Sequence, residues 1–157
     1  MDILEKSIQN CKIPLSRGFG NSKVKINAID KAPMTALLTP RLNIKTRIYE
    51  TSAFTKKYPD ILNMVQDIVK QFDPLFNFNC IQVNKNFQTL PHLDARNTGE
   101  SIIFAVGDYT GGRLFVEGDP IDIYKKPFKM NGSLHKHWTE WFLGDRYSFI
   151  CFTNNRM

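Results

Sequence analysis

From Phe76 onward the chain alternates short apolar runs with turn residues, and that rhythm restricts it to an architecture built of many short strands. Strand-like runs lie near Phe76 to Asn84, Leu90 to Asp94, Ser101 to Val106, Arg113 to Glu117, Ile121 to Tyr124, Phe128 to Met130, Ser133 to Trp138 and Arg146 to Thr153. Gly111-Gly112, Gly118-Asp119-Pro120, Asn131-Gly132 and Gly144-Asp145 punctuate them, and Asn-Gly in particular favours a tight hairpin. Ahead of these runs, Ile61, Met64, Val65, Ile68, Val69 and Phe72 fall at helical spacing; Pro59 and Asp60 suit a first turn and Asp73-Pro74 ends it. Eight strands after a helix predict a mainly β fold with flanking helices: a double-stranded β-helix, the jelly-roll form that includes cupins, backed by at least one amphipathic helix.

The first 58 residues speak less clearly. Asp2 to Asn10 reads as a short helix, Ser16-Arg17-Gly18-Phe19-Gly20-Asn21 as a turn, and Lys23-Val24-Lys25-Ile26 alternates polar with apolar; the topology there stays open. At 157 residues, 42% hydrophobic and with twelve Phe, the chain has material for one packed domain and not for two. The expected organisation is a single domain over 1–157, with 1–58 a basic extension packing on or near the core and 76–153 the double-stranded β-helix. No internal repeat or low-complexity linker interrupts it. No apolar stretch approaches the about eighteen residues of a membrane span, and MDILEKSIQN lacks the order of a secretory signal, so a soluble intracellular protein, cytoplasmic or nuclear, is expected. Cys11, Cys80 and Cys151 form an odd, widely spaced set that suits neither a disulfide framework nor a zinc site.

Charge is unevenly placed. Of the net +6, the residues through Lys57 carry +7 (eleven Lys and Arg, four Asp and Glu) and the remainder −1. Such a segment beside a substrate mouth attracts phosphates; it equally suits a merely solvated surface, since no run exceeds two consecutive basic residues.

The chemistry concentrates in His92-Leu93-Asp94, a later histidine, and Arg146-Tyr147-Ser148. Two imidazoles and one carboxylate can occupy one face of an octahedral ferrous ion and leave the other face open. On a strand, His92 and Asp94 share a face while Leu93 points back into packing. On the last strand Arg146, Ser148, Ile150 and Phe152 share one face, and Tyr147, Phe149 and Cys151 the other. An inward arginine beside a serine makes a fork for a carboxylate, because a buried guanidinium needs an anionic partner. His135 and His137 compete as the second imidazole; two residues along a strand is more than about 6 Å, too far for both to serve one ion.

The order HxD, a later His, then Arg-x-Ser on the final strand resembles the Fe(II)- and 2-oxoglutarate-dependent dioxygenases. The phrases His-Leu-Asp-Ala-Arg-Asn-Thr-Gly-Glu-Ser from 92, Gly107-Asp108-Tyr109-Thr110-Gly111-Gly112-Arg113-Leu114, and His137-Trp138-Thr139-Glu140-Trp141-Phe142-Leu143-Gly144-Asp145-Arg146-Tyr147-Ser148 are similar to small viral, algal and protist oxygenases near the TET and J-binding-protein enzymes, which oxidise methyl groups on nucleic-acid bases. The match covers about Asn79 to Thr153. It implies His92, Asp94 and His137 as Fe(II) ligands, His137 rather than His135 because the interval to Arg146 fits, and Arg146 with Ser148 on the distal carboxylate of 2-oxoglutarate. One departure is Trp141, where many relatives carry proline.

Other positions stay open. The resemblance places a side chain near the keto-acid end of the co-substrate where Asn84 and Asn86 stand; Asn84, on one face with Gln82, is the candidate, against a turn-forming role. Asn97 could orient the ligating carboxylate or touch substrate, or simply form an Asx-turn. Arg96 is a candidate substrate contact. Tyr147, Phe149, Phe104 and Phe115 are core. The expected function is a dioxygenase that consumes O2 and 2-oxoglutarate and hydroxylates a C–H bond, of a methylated base in DNA or RNA. Alternatives are a peptidyl or small-molecule hydroxylase with the same iron chemistry, and a non-catalytic binding module with a decayed site.

Overall fold

The computed structural model describes residues 1–16, 24–26 by backbone alone, and 33–154. The turn expected at 16–21 lies outside the described residues except for Ser16, as do the side chains of Arg17, Lys23, Lys25 and Lys31. Among the described residues three helices, α1 (Asp2–Gln9), α2 (Ala53–Lys57) and α3 (Pro59–Phe72), accompany twelve strands: β1 (Val24–Ile26), β2 (Met34–Leu37), β3 (Arg41–Leu42), β4 (Tyr49–Glu50), β5 (Cys80–Lys85), β6 (Phe87–Thr89), β7 (Ser101–Gly111), β8 (Leu114–Val116), β9 (Asp119–Ile121), β10 (Phe128–Met130), β11 (His137–Thr139) and β12 (Phe142–Phe152). No helix among the described residues is long and apolar enough to cross a membrane.

A five-stranded antiparallel sheet, in the order β10-β7-β12-β5-β2, faces a three-stranded sheet, β11-β8-β9. This is the mainly β jelly roll expected. The alternation of β12 sorts its side chains between two environments. Tyr147, Phe149 and Cys151 join Ile81, Val83, Ile102, Phe104 and Val106 in the main core, which α1 and α3 close with Leu4, Ile8, Ile61, Val65 and Val69. Arg146, Ser148, Ile150 and Phe152 turn to the opposite face and line a cavity between the sheets. Phe149 sits directly opposite Phe104 across the ladder, rings stacked with centroids 5.2 Å apart.

Helix α3 has the bounds that its periodicity and its Pro59 and Asp73 punctuation dictate, although Phe72, on the last turn, is 44% exposed. Described residues ahead of α3 contribute to the core: Leu4, Ile8, Ala36, Leu38 and Phe54 belong to the main cluster, and β2 forms an edge of the large sheet. Ser52 caps α2 by accepting from Thr55 N (3.2 Å), and both hydroxyls donate to Leu38 O, which ties that helix to the end of β2.

Several expectations need correction. The strand expected at Ile121 to Tyr124 is displaced to Asp119–Ile121, and Phe115, expected in the core, is part-buried and belongs to neither core cluster. Leu90 to Asp94 is not a strand: His92 makes an isolated bridge to His137, and Leu93, expected in packing, is 45% exposed. Alternation fails there because only one residue is paired and the chain turns away at once. Asn131-Gly132 does not close a hairpin. The strands on either side, β10 and β11, lie in different sheets; Asn131 instead caps a turn, its Oδ1 accepting from Ser133 N and Oγ, and its carbonyl from Leu134 N and His135 N. The strand expected at Ser133 to Trp138 therefore begins only at His137.

Because Phe149 is fully buried in the centre of the large sheet, Phe149→Ala leaves a cavity on the helix side and costs about 3–5 kcal/mol of stability. Urea unfolding followed by circular dichroism measures this, and a loss under about 1 kcal/mol contradicts the packing described.

Candidate metal and carboxylate site

His92 and His137 face each other because their backbones pair: each N–H donates to the other's carbonyl at 3.1 Å. Their rings stand 4.3 Å apart, centroid to centroid. Both rings are aimed by main chain two residues upstream. Nδ1 of His92 lies 2.6 Å from Leu90 O, and Nδ1 of His137 lies 2.9 Å from His135 O. A carbonyl oxygen only accepts, so each Nδ1 carries the proton and each Nε2 is left with a lone pair. Those two Nε2 atoms flank one carboxylate, His92 Nε2 at 3.4 Å from Asp94 Oδ1 and His137 Nε2 at 3.1 Å from Asp94 Oδ2.

One donor atom from each of the three side chains lies within 4.8 Å of the other two, the only such group among the described residues. Two neutral imidazole nitrogens and a carboxylate oxygen, with both Nδ1 protons already bonded to carbonyls, suit a divalent first-row metal. Asp94 is fixed by its backbone, its N–H donating to Gly132 O at 2.8 Å. Gly132 leaves room for the site: a Cβ there would stand 2.9 Å from Asp94 Oδ2 and 3.1 Å from His137 Cε1, so a side chain would push the carboxylate out of place.

The electrostatics follow from this convergence. Burial alone would raise the Asp94 carboxyl, but hydrogen bonds and charge from His137 and His92 outweigh it and hold Asp94 well below the usual carboxylate range. For His137, burial alone would lower the imidazole; the bond to Asp94, the His135 carbonyl and the Asp94 charge prevail and raise it above its ordinary 6.5.

The cavity beside the triad has a volume of about 280 Å³. Arg146, 3% exposed, lies in its wall with Nε donating to Gly112 O at 3.1 Å and with the rings of Tyr109 and Phe142 at 5.8 and 5.7 Å from the guanidinium carbon. A Cβ on Gly112, whose φ is +70°, would press on Arg146 Cδ and Nε at 3.0 and 3.1 Å, so the close approach and the left-handed backbone both require glycine. Nη2 of Arg146 is buried without a hydrogen-bond partner. Burial pushes the guanidinium pKa down, and only Tyr109 acts against it. A buried cation with an unused donor, next to Ser148 in a cavity, fits a carboxylate supplied from outside the protein.

Asn84 and Asn97 also line the cavity. Asn84 Oδ1 accepts from Thr35 Oγ1 and Gln82 Nε2 (2.7 and 3.0 Å), which orients the amide. Asn97 forms the backbone turn, its N–H donating to Asp94 O. Arg96 is exposed and outside the cavity lining. His135 is exposed too, its Nδ1 3.6 Å from Glu117 Oε1. Sequence reasoning missed Gly132, Thr139 bonded to Thr89 (3.0 Å), and the apolar wall of Ile103, Leu114 and Met130. Gly132 carried a signal, a glycine in the last loop before the histidine, but the hairpin reading absorbed it.

No protein-family model matches the sequence, and no curated protein does. Solved structures do share its fold. NgTET1 in complex with 5mC DNA aligns over 77% of this chain at 14% identity and a TM-score of 0.55; the chain spans only 61% of that structure's length. A 2OG-Fe(II) oxygenase family oxidoreductase from Burkholderia pseudomallei aligns over 96% of this chain and 74% of its own (14% identity, TM-score 0.56). A Pseudomonas putida prolyl-4-hydroxylase aligns over 98% and 87% (11% identity, TM-score 0.51). The chain therefore has the jelly-roll fold of the 2OG-Fe(II) oxygenases.

Two outcomes test the site. Gly132→Ala weakens divalent-metal binding about 10- to 100-fold, read by quenching of the fluorescence of Trp138, next to His137; unchanged affinity contradicts the contact. The second concerns pH. A metal competes with the proton for His137 Nε2, so divalent-metal affinity declines as pH falls through a value above 6.5. In the metal-free protein the signs differ. The raised His137 contributes stability that is complete below 6.5 and lost as pH rises through its folded value; the depressed Asp94 contributes stability present above 3.8 and lost as pH falls through its folded value. Melting of metal-free protein should thus decline as pH rises above 6.5 through the raised His137 value while metal-loaded protein holds, and parallel curves contradict the coupling of His137 to Asp94.

Proposed function

We propose that this protein is an Fe(II)- and 2-oxoglutarate-dependent dioxygenase that hydroxylates a C–H bond of a methylated base in DNA or RNA. The observation that carries the reading is the unpartnered Nη2 of buried Arg146 in the same cavity as His92, Asp94 and His137. A metal site alone suits many chemistries; a metal site beside a buried carboxylate receptor calls for a dicarboxylic co-substrate.

His92, Asp94 and His137 would hold Fe(II), Arg146 and Ser148 the distal carboxylate of 2-oxoglutarate, and Asn84 would lie near its keto-acid end. When bound, the pair supplies the oxidising chemistry: O2 is consumed, 2-oxoglutarate becomes succinate and carbon dioxide, and a substrate C–H becomes C–OH. The protein's share is orientation and exclusion. The Leu90 and His135 carbonyls keep the imidazole protons on Nδ1, so Nε2 faces the ion. Asp94, held well below the usual carboxylate range, is ionised at neutral pH. Ile103, Leu114, Met130, Ile150 and Phe152 make most of the wall apolar, which would exclude water once co-substrate and substrate fill the cavity.

A nucleic-acid substrate is supported by the likeness to a structure solved with 5mC DNA and by the +7 charge of the residues through Lys57. A base within a duplex would first have to leave its stack. The second reading, a peptidyl hydroxylase, is favoured by the likeness to a prolyl-4-hydroxylase.

Anaerobic Fe(II) with 2-oxoglutarate should give a charge-transfer absorption band, and its absence contradicts the enzymatic reading. Arg146→Leu should raise the 2-oxoglutarate KM for succinate formation about 100-fold or more while metal binding persists, since truncating one side of a buried charge pair costs about 2–5 kcal/mol. Mass spectrometry after incubation with methylated DNA, methylated RNA and proline-rich peptide separates the readings. Oxidised bases, with salt-sensitive binding that weakens when Lys23, Lys25 and Arg47 are neutralised, support the first. Hydroxylated peptide with inert nucleic acid overturns it in favour of the second.

A further inference from the structure

Asn86 stands where two strands part, between β5 and β6, and the ladder beside it breaks in an unusual way. β12 pairs with β5 residue by residue from Phe152 opposite Cys80 to Tyr147 opposite Lys85. The next pair in register would be Arg146 with Asn86. Asn86 instead adopts a φ of +60°, a left-handed conformation that asparagine tolerates better than most side chains. With its backbone turned, Asn86 N donates to Arg146 O at 2.8 Å, while its side-chain Oδ1 accepts from Arg146 N at 2.9 Å. A side-chain amide has replaced the backbone acceptor of the ladder.

The other half of that amide is engaged as well. Asn86 Nδ2 donates to Asp145 Oδ1 at 3.1 Å, which fixes which end of the amide faces Arg146. The side chain is 2% exposed, and all three bonds go to two adjacent residues of β12. Asn86 therefore grips the peptide groups on both sides of the Arg146 Cα and touches none of the three metal-ligand candidates in the bonds it makes.

We propose that Asn86 is a positioning residue for the carboxylate receptor: it sets the backbone of Arg146 so that the guanidinium reaches Gly112 O and stays in the cavity wall. This rests on the dioxygenase reading, in which Arg146 binds the distal carboxylate of 2-oxoglutarate. Aliphatic residues at 86 would strain in the left-handed backbone, and glycine, which tolerates the backbone, lacks the amide. Asparagine meets both requirements at once, and aspartate would lose the donor facing Asp145.

The test separates co-substrate binding from metal binding and from folding. Asn86→Gly keeps the turn and removes the amide. It should melt within a few degrees of the unmodified protein, bind Fe(II) within about twofold by tryptophan fluorescence, and bind 2-oxoglutarate at least about tenfold more weakly by anaerobic titration of the charge-transfer band. In steady state the 2-oxoglutarate KM should rise by a similar factor while kcat at saturation changes less than about threefold, a split that general loosening of the fold would not give. Asp145→Ala repeats the test without touching the turn, by removing the acceptor that orients the amide, and should weaken 2-oxoglutarate about threefold or more with Fe(II) binding unchanged. If Asn86→Gly fails to fold, Asp145→Ala decides. Binding of 2-oxoglutarate within twofold of the unmodified protein in the folded variants overturns the inference and leaves the dioxygenase reading intact. Equal weakening of Fe(II) and 2-oxoglutarate also overturns it, since that marks structural damage. An unmodified protein that gives no band with 2-oxoglutarate overturns the reading and the inference together.

Discussion

Strand β12 bears both the core and the site, and its hydrogen-bond register is the constraint on which everything else depends. It runs through the middle of the large sheet, paired with β7 on one side and β5 on the other, so its backbone cannot shift without breaking two ladders. A slip of one residue would carry Arg146 and Ser148 into the apolar core and Phe149 into the cavity. The stacked Phe104 and Phe149 make that slip costly, because the rings meet only in the observed register. Hydrophobic packing on one face thus fixes the position of polar chemistry on the other.

The site brings together charges that each tolerate burial for a different reason. His92 and His137 each set Nε2 against one oxygen of the Asp94 carboxylate, at 3.4 and 3.1 Å. Arg146 has no such arrangement: aromatic faces and one carbonyl surround it, and nothing anionic among the described residues meets it. Charges left uncompensated inside proteins are costly, and the structure retains this one against Gly112, whose missing side chain leaves room for it.

Much of this was legible in the sequence where the signal is local. α3 reads from Pro59, Asp73 and the spacing of Ile61, Val65 and Val69; the two faces of β12 read from simple alternation; and the spacing of HxD, His and Arg-x-Ser drew attention to the side chains that line one cavity. What failed depends on contacts between distant parts of the chain. Nothing near Met34 to Leu37 announces an edge strand that pairs with residues almost fifty positions later. Leu93 looked like a packing residue because alternation assumes a continuous strand, and His92 is paired through a single bridge. Asn131-Gly132 looked like a hairpin because local turn chemistry cannot tell a strand reversal from a passage between sheets. Asn86 offered a faint cue, an asparagine between two strand-like runs, but its partner is sixty residues away.

Both imidazoles take their direction from a peptide oxygen two residues before them, Leu90 O and His135 O. Every amino acid supplies that oxygen, so the aim of the two rings is indifferent to which side chains occupy positions 90 and 135. Mutational drift around the ligands can then proceed while the ligands themselves keep station. Architecture of this kind can outlast nearly all recognisable kinship in its letters.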